Sequence, residues 1–170
     1  DSTANPHRKP DMIEIERRFL VAPESLRHLD LALRRRRKIE QFYLTSDPER
    51  SVRVRIEETC GTMSACLAIK GRKTTGQGIE VETPIQLAKA EALKPLILGR
   101  SIVKTRHEIP LASGLTAELD VFSAPAGLVI AEVEFADAEA ATRFTAPVWM
   151  ECEITDDPAY SNQALALAGK

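Results

Sequence analysis

Charge alternation along apolar segments constrains this chain more than any other feature. Residues i, i+2 and i+4 of a strand share one face. The segment Ile13-Glu14-Ile15-Glu16-Arg17-Arg18-Phe19 therefore sends Glu14, Glu16 and Arg18 one way and Ile13, Ile15 and Phe19 the other. The same parity recurs downstream. Arg53 and Arg55 oppose Val52, Val54 and Ile56; Glu80 and Glu82 oppose Ile79 and Val81; Lys104, Arg106 and Glu108 oppose Val103 and Ile109. Glu118 and Asp120 oppose Leu119 and Val121, Glu132 and Glu134 oppose Val133 and Phe135, and Lys70 follows Ile69. A half-exposed antiparallel sheet also alternates, but here the signs are segregated, with like charges two apart on one strand. That pattern calls for partners of opposite sign.

Strands are expected at residues 12–21, 39–45, 51–59, 62–70, 78–84, 101–109, 115–122 and 129–136, separated by turn residues such as Gly61, Gly71, Gly76 and Gly114. Helices are expected at 23–37, where Leu26, Leu29 and Leu33 share a face, at 87–98, interrupted by Pro95, and as short pieces at 138–144 and 162–168. Helices packed on the apolar faces leave the charged faces lining the interior of a closed or nearly closed barrel. The expected fold is mainly β, an eight-stranded antiparallel tunnel with helices outside, spanning residues 12–170. Residues 1–11, polar and with two prolines, read as a flexible extension.

Such an interior holds six cations, Arg18, Arg53, Arg55, Lys70, Lys104 and Arg106, and eight carboxylates, Glu14, Glu16, Glu80, Glu82, Glu118, Asp120, Glu132 and Glu134. Guanidinium and ammonium groups suit phosphate oxygens. Clustered carboxylates suit a hard cation such as Mg²⁺ or Mn²⁺. The expected ligand is a polyphosphate with a divalent metal, the combination used in phosphoryl transfer.

The rest of the composition narrows the classes. A net charge of −2 gives no general argument for nucleic acid or an anionic membrane, and the run Arg34-Arg35-Arg36-Arg37-Lys38 reads as solvated cations near a helix C-terminus. No apolar run approaches the ~20 residues of a membrane helix, and no signal-peptide pattern is present. Three cysteines without CxxC spacing fit reduced thiols, hence a cytoplasmic location. His28 and His107 have no metal-ligand spacing, and Trp149 lies outside the strands, so no stacking platform for a base is evident.

In order along the chain, Glu14-Ile15-Glu16-Arg17-Arg18, Val52-Arg53-Val54-Arg55, Ile69-Lys70, Ile79-Glu80-Val81-Glu82, Lys104-Thr105-Arg106, Glu118-Leu119-Asp120 and Glu132-Val133-Glu134 resemble the CYTH superfamily of triphosphate tunnel metalloenzymes. The first motif is similar to that family's ExExK, with arginine in the last place. Tyr160-Ser161-Asn162 before Ala164-Leu165-Ala166 resembles the end of its short bacterial members.

The resemblance implies metal-dependent hydrolysis of a triphosphate, foremost inorganic tripolyphosphate. It implies that Glu14, Glu16 and Glu134 bind metal, with Glu132, Asp120 and Glu118 near a second position, and that the basic residues hold phosphates. Lys104 is a candidate for proton transfer if burial lowers its pKa. Tyr43, in a Tyr-Leu-Thr segment resembling the short members, is either its neighbour or an ordinary half-buried aromatic. Other activities of the resembled family are thiamine triphosphate hydrolysis and ATP cyclisation. A non-catalytic module binding polyphosphate or nucleotide is the third alternative. No nucleic-acid or membrane partner is expected.

Overall fold

The computed structural model describes residues 14–71 and 77–168. The expected extension, residues 1–11, lies outside the described residues. Strands dominate: β1 (Glu14–Leu20), β2 (Arg36–Tyr43), β3 (Arg50–Thr59), β4 (Thr62–Gly71), the two-residue β5 (Gln77–Gly78), β6 (Glu80–Ile85), β7 (Leu98–Pro110), β8 (Thr116–Ala124), β9 (Ala126–Glu134) and the two-residue β10 (Cys152–Glu153). The helices are α1 (Leu87–Leu93), α2 (Ala138–Arg143) and α3 (Asn162–Leu167).

All pairings are antiparallel, in the order β10-β1-β9-β8-β7-β2-β3-β4-β6. This path is open between β1 and β6. Among the described residues, the strand that pairs with β1 at this opening is β5, one residue before β6, through Glu14↔Gly78 and Ile15↔Gln77. The eight expected strands are present, and the two additional ones are the short pieces at the seam and the edge.

Three clusters show how the sheet is covered. Phe19, Leu119, Ala131, Val133 and Phe135 form a core with Met150, against which Ala140 and Ala141 of α2 pack. Val54, Ile56 and Ala65 lie beneath Ala90 of α1, with Phe42. The third cluster joins Tyr43, Ile102, Phe122, Ile130 and Ile154 to Ala166 of α3. Burial of each large apolar side chain contributes roughly 1.5–3 kcal/mol. Cover is incomplete on the outer face of β4 and β6, where the opposed Ile69 and Val81 stay about half exposed.

Two local devices set these elements. Gly99 has φ +72°, and a Cβ there would stand 2.2 Å from the Ala166 carbonyl oxygen. Only glycine lets β7 and α3 approach this closely. On the outer face of β1, Arg17 donates to both carboxylate oxygens of Glu153 at 2.8 and 2.6 Å, and to the carbonyls of Ala141 and Phe144 at 3.1 and 2.9 Å. It ties β1 to β10 and to the end of α2.

The expected helix over residues 23–37 is corrected. The chain forms two short 3₁₀ segments, Pro23–His28 and Leu31–Leu33, and then enters β2 at Arg36. Asp30, at φ 47° and ψ 48°, breaks the helix between them. Leu26 and Leu29 pack on the first core, while Leu33 is 84% exposed, so the three leucines share no buried face.

Candidate functional site

Register places the charged residues on one face of the tunnel. Arg53 lies opposite Tyr43 on β2 and Ala68 on β4, and Ala68 lies opposite Glu82 on β6. The small Ala68 leaves room for the Arg53 guanidinium to cross β4. Its Nη2 reaches Glu82 Oε1 at 2.5 Å and Glu80 Oε1 at 3.1 Å. Arg55 stands in the next row with Gln41 and Cys66, and Lys70 with Ser51 and Glu80. On the far wall, Arg18 lies opposite Glu132, and Glu16 opposite Glu134.

The ion pairs form a continuous belt. Lys104 Nζ donates to Asp120 Oδ2 at 2.5 Å, and Arg106 grips Asp120 through Nε–Oδ1 at 2.6 Å and Nη2–Oδ2 at 2.7 Å. Arg106 also bonds Glu118 and Glu132, and Glu132 accepts from Arg18 Nε at 3.0 Å. From Glu118 the belt runs through Arg37 (2.7 Å), Glu57 (3.7 Å), Arg55 (3.3 Å) and Glu82 (4.0 Å) to Arg53. It continues through Glu80 to Lys70 (2.7 Å) and Glu14 (3.5 Å).

These contacts surround a cavity of about 860 Å³, within the range of small-molecule sites. Five of the six expected cations and seven of the eight expected carboxylates line it. The exceptions are Lys104 and Asp120, which are buried beneath the lining. The β7–β8 register shifts between Val103 and Lys104, and the Lys104 ammonium rests 5.2 Å from the centre of the Phe122 ring.

Burial shifts the titration of several groups. It pulls Lys104 down to about 8 against the opposing attraction of Asp120. Burial also disfavours the Asp120 anion, but Arg106 and Lys104 outweigh it and hold that carboxyl low. Arg55 and Arg53 do the same for Glu82. Glu80 is pushed up to about 7, first by burial and then by its hydrogen bond with Glu14, which together overcome Lys70. Burial likewise raises Glu118. Tyr43 is raised by burial, and its hydroxyl accepts from the Gln41 amide at 3.2 Å. Lys104 lies opposite Ile39, four residues along β2 from Tyr43, and no hydrogen bond joins the two.

Among the described residues, no three His, Cys, Asp or Glu side chains converge into a ready-made metal cage. The donor chemistry at Glu14, Glu16 and Glu134 nonetheless fits a hard cation. Glu16 and Glu134 are direct cross-strand partners, and Glu14 is next on the same face. Mg²⁺ keeps open positions and commonly takes one or two carboxylates plus phosphate oxygens. This carboxylate set suits such sharing.

Sequence reasoning missed the lumen residue Arg37 and its ion-pair partner Glu57. Arg37 lies opposite Arg106 on the tunnel face, where a solvated helix end was expected. Starting the second strand at residue 36 exposes the parity Arg37-Ile39-Gln41-Tyr43, and extending the third strand's charged face by one step adds Glu57. The rim from the C-terminal segment, including Asp156, Ser161 and Asn162, also lines the cavity and had no periodic signal.

A CYTH domain model matches residues 12–146. The chain belongs to the CYTH family. It is 37% identical over 160 residues to an inorganic triphosphatase of Nitrosomonas europaea, covering 92% of this chain and 99% of that protein. It is 32% identical over 154 residues to an inorganic triphosphatase of Acetivibrio thermocellus, covering 89% and 92%. A crystal structure of an inorganic triphosphatase superposes with a TM-score of 0.64 at 35% identity, covering 91% of this chain and 97% of the other. The antiparallel sheet described above is thus that of a CYTH fold. Among the described residues, no helix is long and apolar enough to cross a membrane.

Proposed function

We propose that this chain hydrolyses inorganic tripolyphosphate, bound in the tunnel with Mg²⁺ or Mn²⁺. The relatives named inorganic triphosphatase, which it matches over nearly their full length, support the activity. The single observation that carries it is on the β3 wall. Arg53 and Arg55 line the cavity and carry buried Nε–H groups that have no acceptor among the described residues. A buried N–H without an acceptor costs on the order of 1–3 kcal/mol, which a polyoxyanion would recover.

In this reading Arg53, Arg55, Lys70 and Arg106 bind and orient the phosphates and hold charge on the transferring group. Asp120, Glu118 and Glu132 orient Arg106, and Glu132 orients Arg18. Arg18 also donates to the Tyr160 carbonyl at 3.0 Å, a second contact that suits arginine's fork better than an ammonium. Glu14, Glu16 and Glu134 are the residues that hold the metal, which, when bound, neutralises part of the polyphosphate charge. Lys104, whose burial lowers its pKa to about 8, lies beneath the lining and places its charge behind Arg106 through Asp120, without touching the phosphates. Tyr43 contributes through the wall it shares with Arg53.

The test is orthophosphate release from tripolyphosphate, ATP and thiamine triphosphate, each with and without Mg²⁺ or Mn²⁺. Metal-dependent release, greatest from tripolyphosphate, is expected. Cyclic AMP made from ATP, or binding of every substrate without turnover, sinks the proposal. Turnover should be abolished in E14Q and E16Q, and full activity in both refutes the metal assignment.

A further inference from the structure

We infer that Arg37 is a substrate-binding residue, extending the phosphate-contacting wall of the tunnel beyond Arg53 and Arg55. This rests on the reading that the tunnel takes a polyphosphate. Arg37 sits in a run of five basic residues, but its environment differs from that of its neighbours. The side chains of Arg35 and Lys38 are 74% and 73% exposed, and that of Arg37 is 30% exposed and lines the cavity. The β2 register sets it opposite Arg106.

The guanidinium is held but not used up. Nη2 donates to Glu118 at 2.7 Å, and Nη1 lies 3.7 Å from Glu57. The Nε–H is buried and has no acceptor among the described residues, the same condition found at Arg53 and Arg55. Three arginines from two adjacent strands, each lining one cavity, therefore each carry a buried Nε–H with no acceptor among the described residues. Glu57 links Arg37 to Arg55, since its other oxygen meets Arg55 at 3.3 Å. An incoming phosphate oxygen can take the Arg37 Nε–H while Nη2 stays on Glu118. That division needs the planar five-donor fork and is closed to lysine. Glu57 competes with the anion for both arginines, so its charge weakens binding.

The experiment compares wild type, R37Q, R37K and E57Q, with Kd for tripolyphosphate measured calorimetrically in Mg²⁺ beside KM, kcat and Tm. Loss of a charge-assisted contact predicts that R37Q raises Kd and KM about tenfold or more, with kcat nearly unchanged and Tm little altered. R37K keeps the charge without the fork and is expected to lie between wild type and R37Q. E57Q is expected to tighten binding severalfold, a sign that a merely structural Arg37–Glu57 pair does not give. Unchanged Kd in R37Q overturns the inference, as does weaker binding by E57Q. If R37Q does not fold, R37K with wild-type Kd overturns it equally. Wild type that neither binds nor cleaves tripolyphosphate overturns the proposed function as well, whereas active wild type with an indifferent Arg37 overturns this inference alone.

Discussion

At Lys104 the buried ammonium meets Asp120 Oδ2 and the face of Phe122, in a position sealed from solvent. Its folded pKa of about 8 lies below the ordinary 10.5 because burial outweighs Asp120. A depressed lysine pKa means that the unfolded chain binds more protons between those two values. Stability from this group therefore rises as pH climbs from about 8 to 10.5, and below that window the charged amine is a cost. Asp120 does not depend on it, since Arg106 holds both carboxylate oxygens. K104M is thus expected to unfold at pH 7 no lower than wild type, with any advantage shrinking toward pH 10.5. Hydrolysis should fall by less than about tenfold, short of the loss expected for a positioned acid or base, since Lys104 does not reach the cavity and Arg106 keeps its hold on Asp120. Thermal melts across pH beside initial rates check both, and a Tm several degrees below wild type at pH 7 refutes the stability argument.

At the scale of elements, β1 shows what parity conveys and what it leaves out. Alternation put Glu14, Glu16 and Arg18 inward because both sides of this strand are covered, and Arg17 accordingly points outward. Nothing periodic indicated that Arg17 would find Glu153, Ala141 and Phe144, which are more than 120 residues away in sequence. R17M strands two carbonyls and one carboxylate. The Glu153 side chain is 41% exposed, so its share is discounted for solvent screening. The loss should be about 1–3 kcal/mol, a Tm fall of roughly 2–10 °C. E153Q keeps both carbonyl bonds and should cost less. Equal losses in the two variants, measured by thermal denaturation, show that the carbonyls contribute nothing. The region 23–37 was illegible for a related reason. Leucine spacing suggested one helix, but a left-handed Asp30 divides it, and no local signal competes with an apparent stripe. The same apparent stripe runs into the first residues of β2 and so hides the lumen position of Arg37. Depth was also hidden: Lys104 and Arg106 share a parity, yet only Arg106 lines the cavity. The register shift beside Lys104 and the bulk of Phe122 are tertiary facts that spacing does not encode.

For the whole molecule, the decisive quantity is the charge of the lumen. The described lining carries six cations, Arg18, Arg37, Arg53, Arg55, Lys70 and Arg106, against ten carboxylates, with Glu49, Asp156 and Asp157 at the rim joining the seven inside. A tunnel with excess negative charge repels a polyanion unless cations enter with it, since desolvated like charges interact strongly at short range. The belt of ion pairs gives the same result from the other side. Each arginine that turns to a phosphate releases part of its hold on a carboxylate, and that carboxylate needs a new partner. Tripolyphosphate and a divalent metal should therefore bind with positive coupling, each raising the affinity for the other by the same factor. Either alone is expected to move Tm little. Together, at about 100 times the Kd, they should stabilise by about 2.7 kcal/mol, or roughly 5–10 °C for a chain of this size. Chelation with EDTA should return the melt to that of the free protein. A full shift produced by tripolyphosphate in EDTA contradicts the coupling, and so does calorimetry that finds the same tripolyphosphate affinity with and without Mg²⁺. E16Q sharpens the test: removing one lumen charge should strengthen metal-free tripolyphosphate binding while weakening the gain from Mg²⁺, a pair of opposite changes that general destabilisation does not produce.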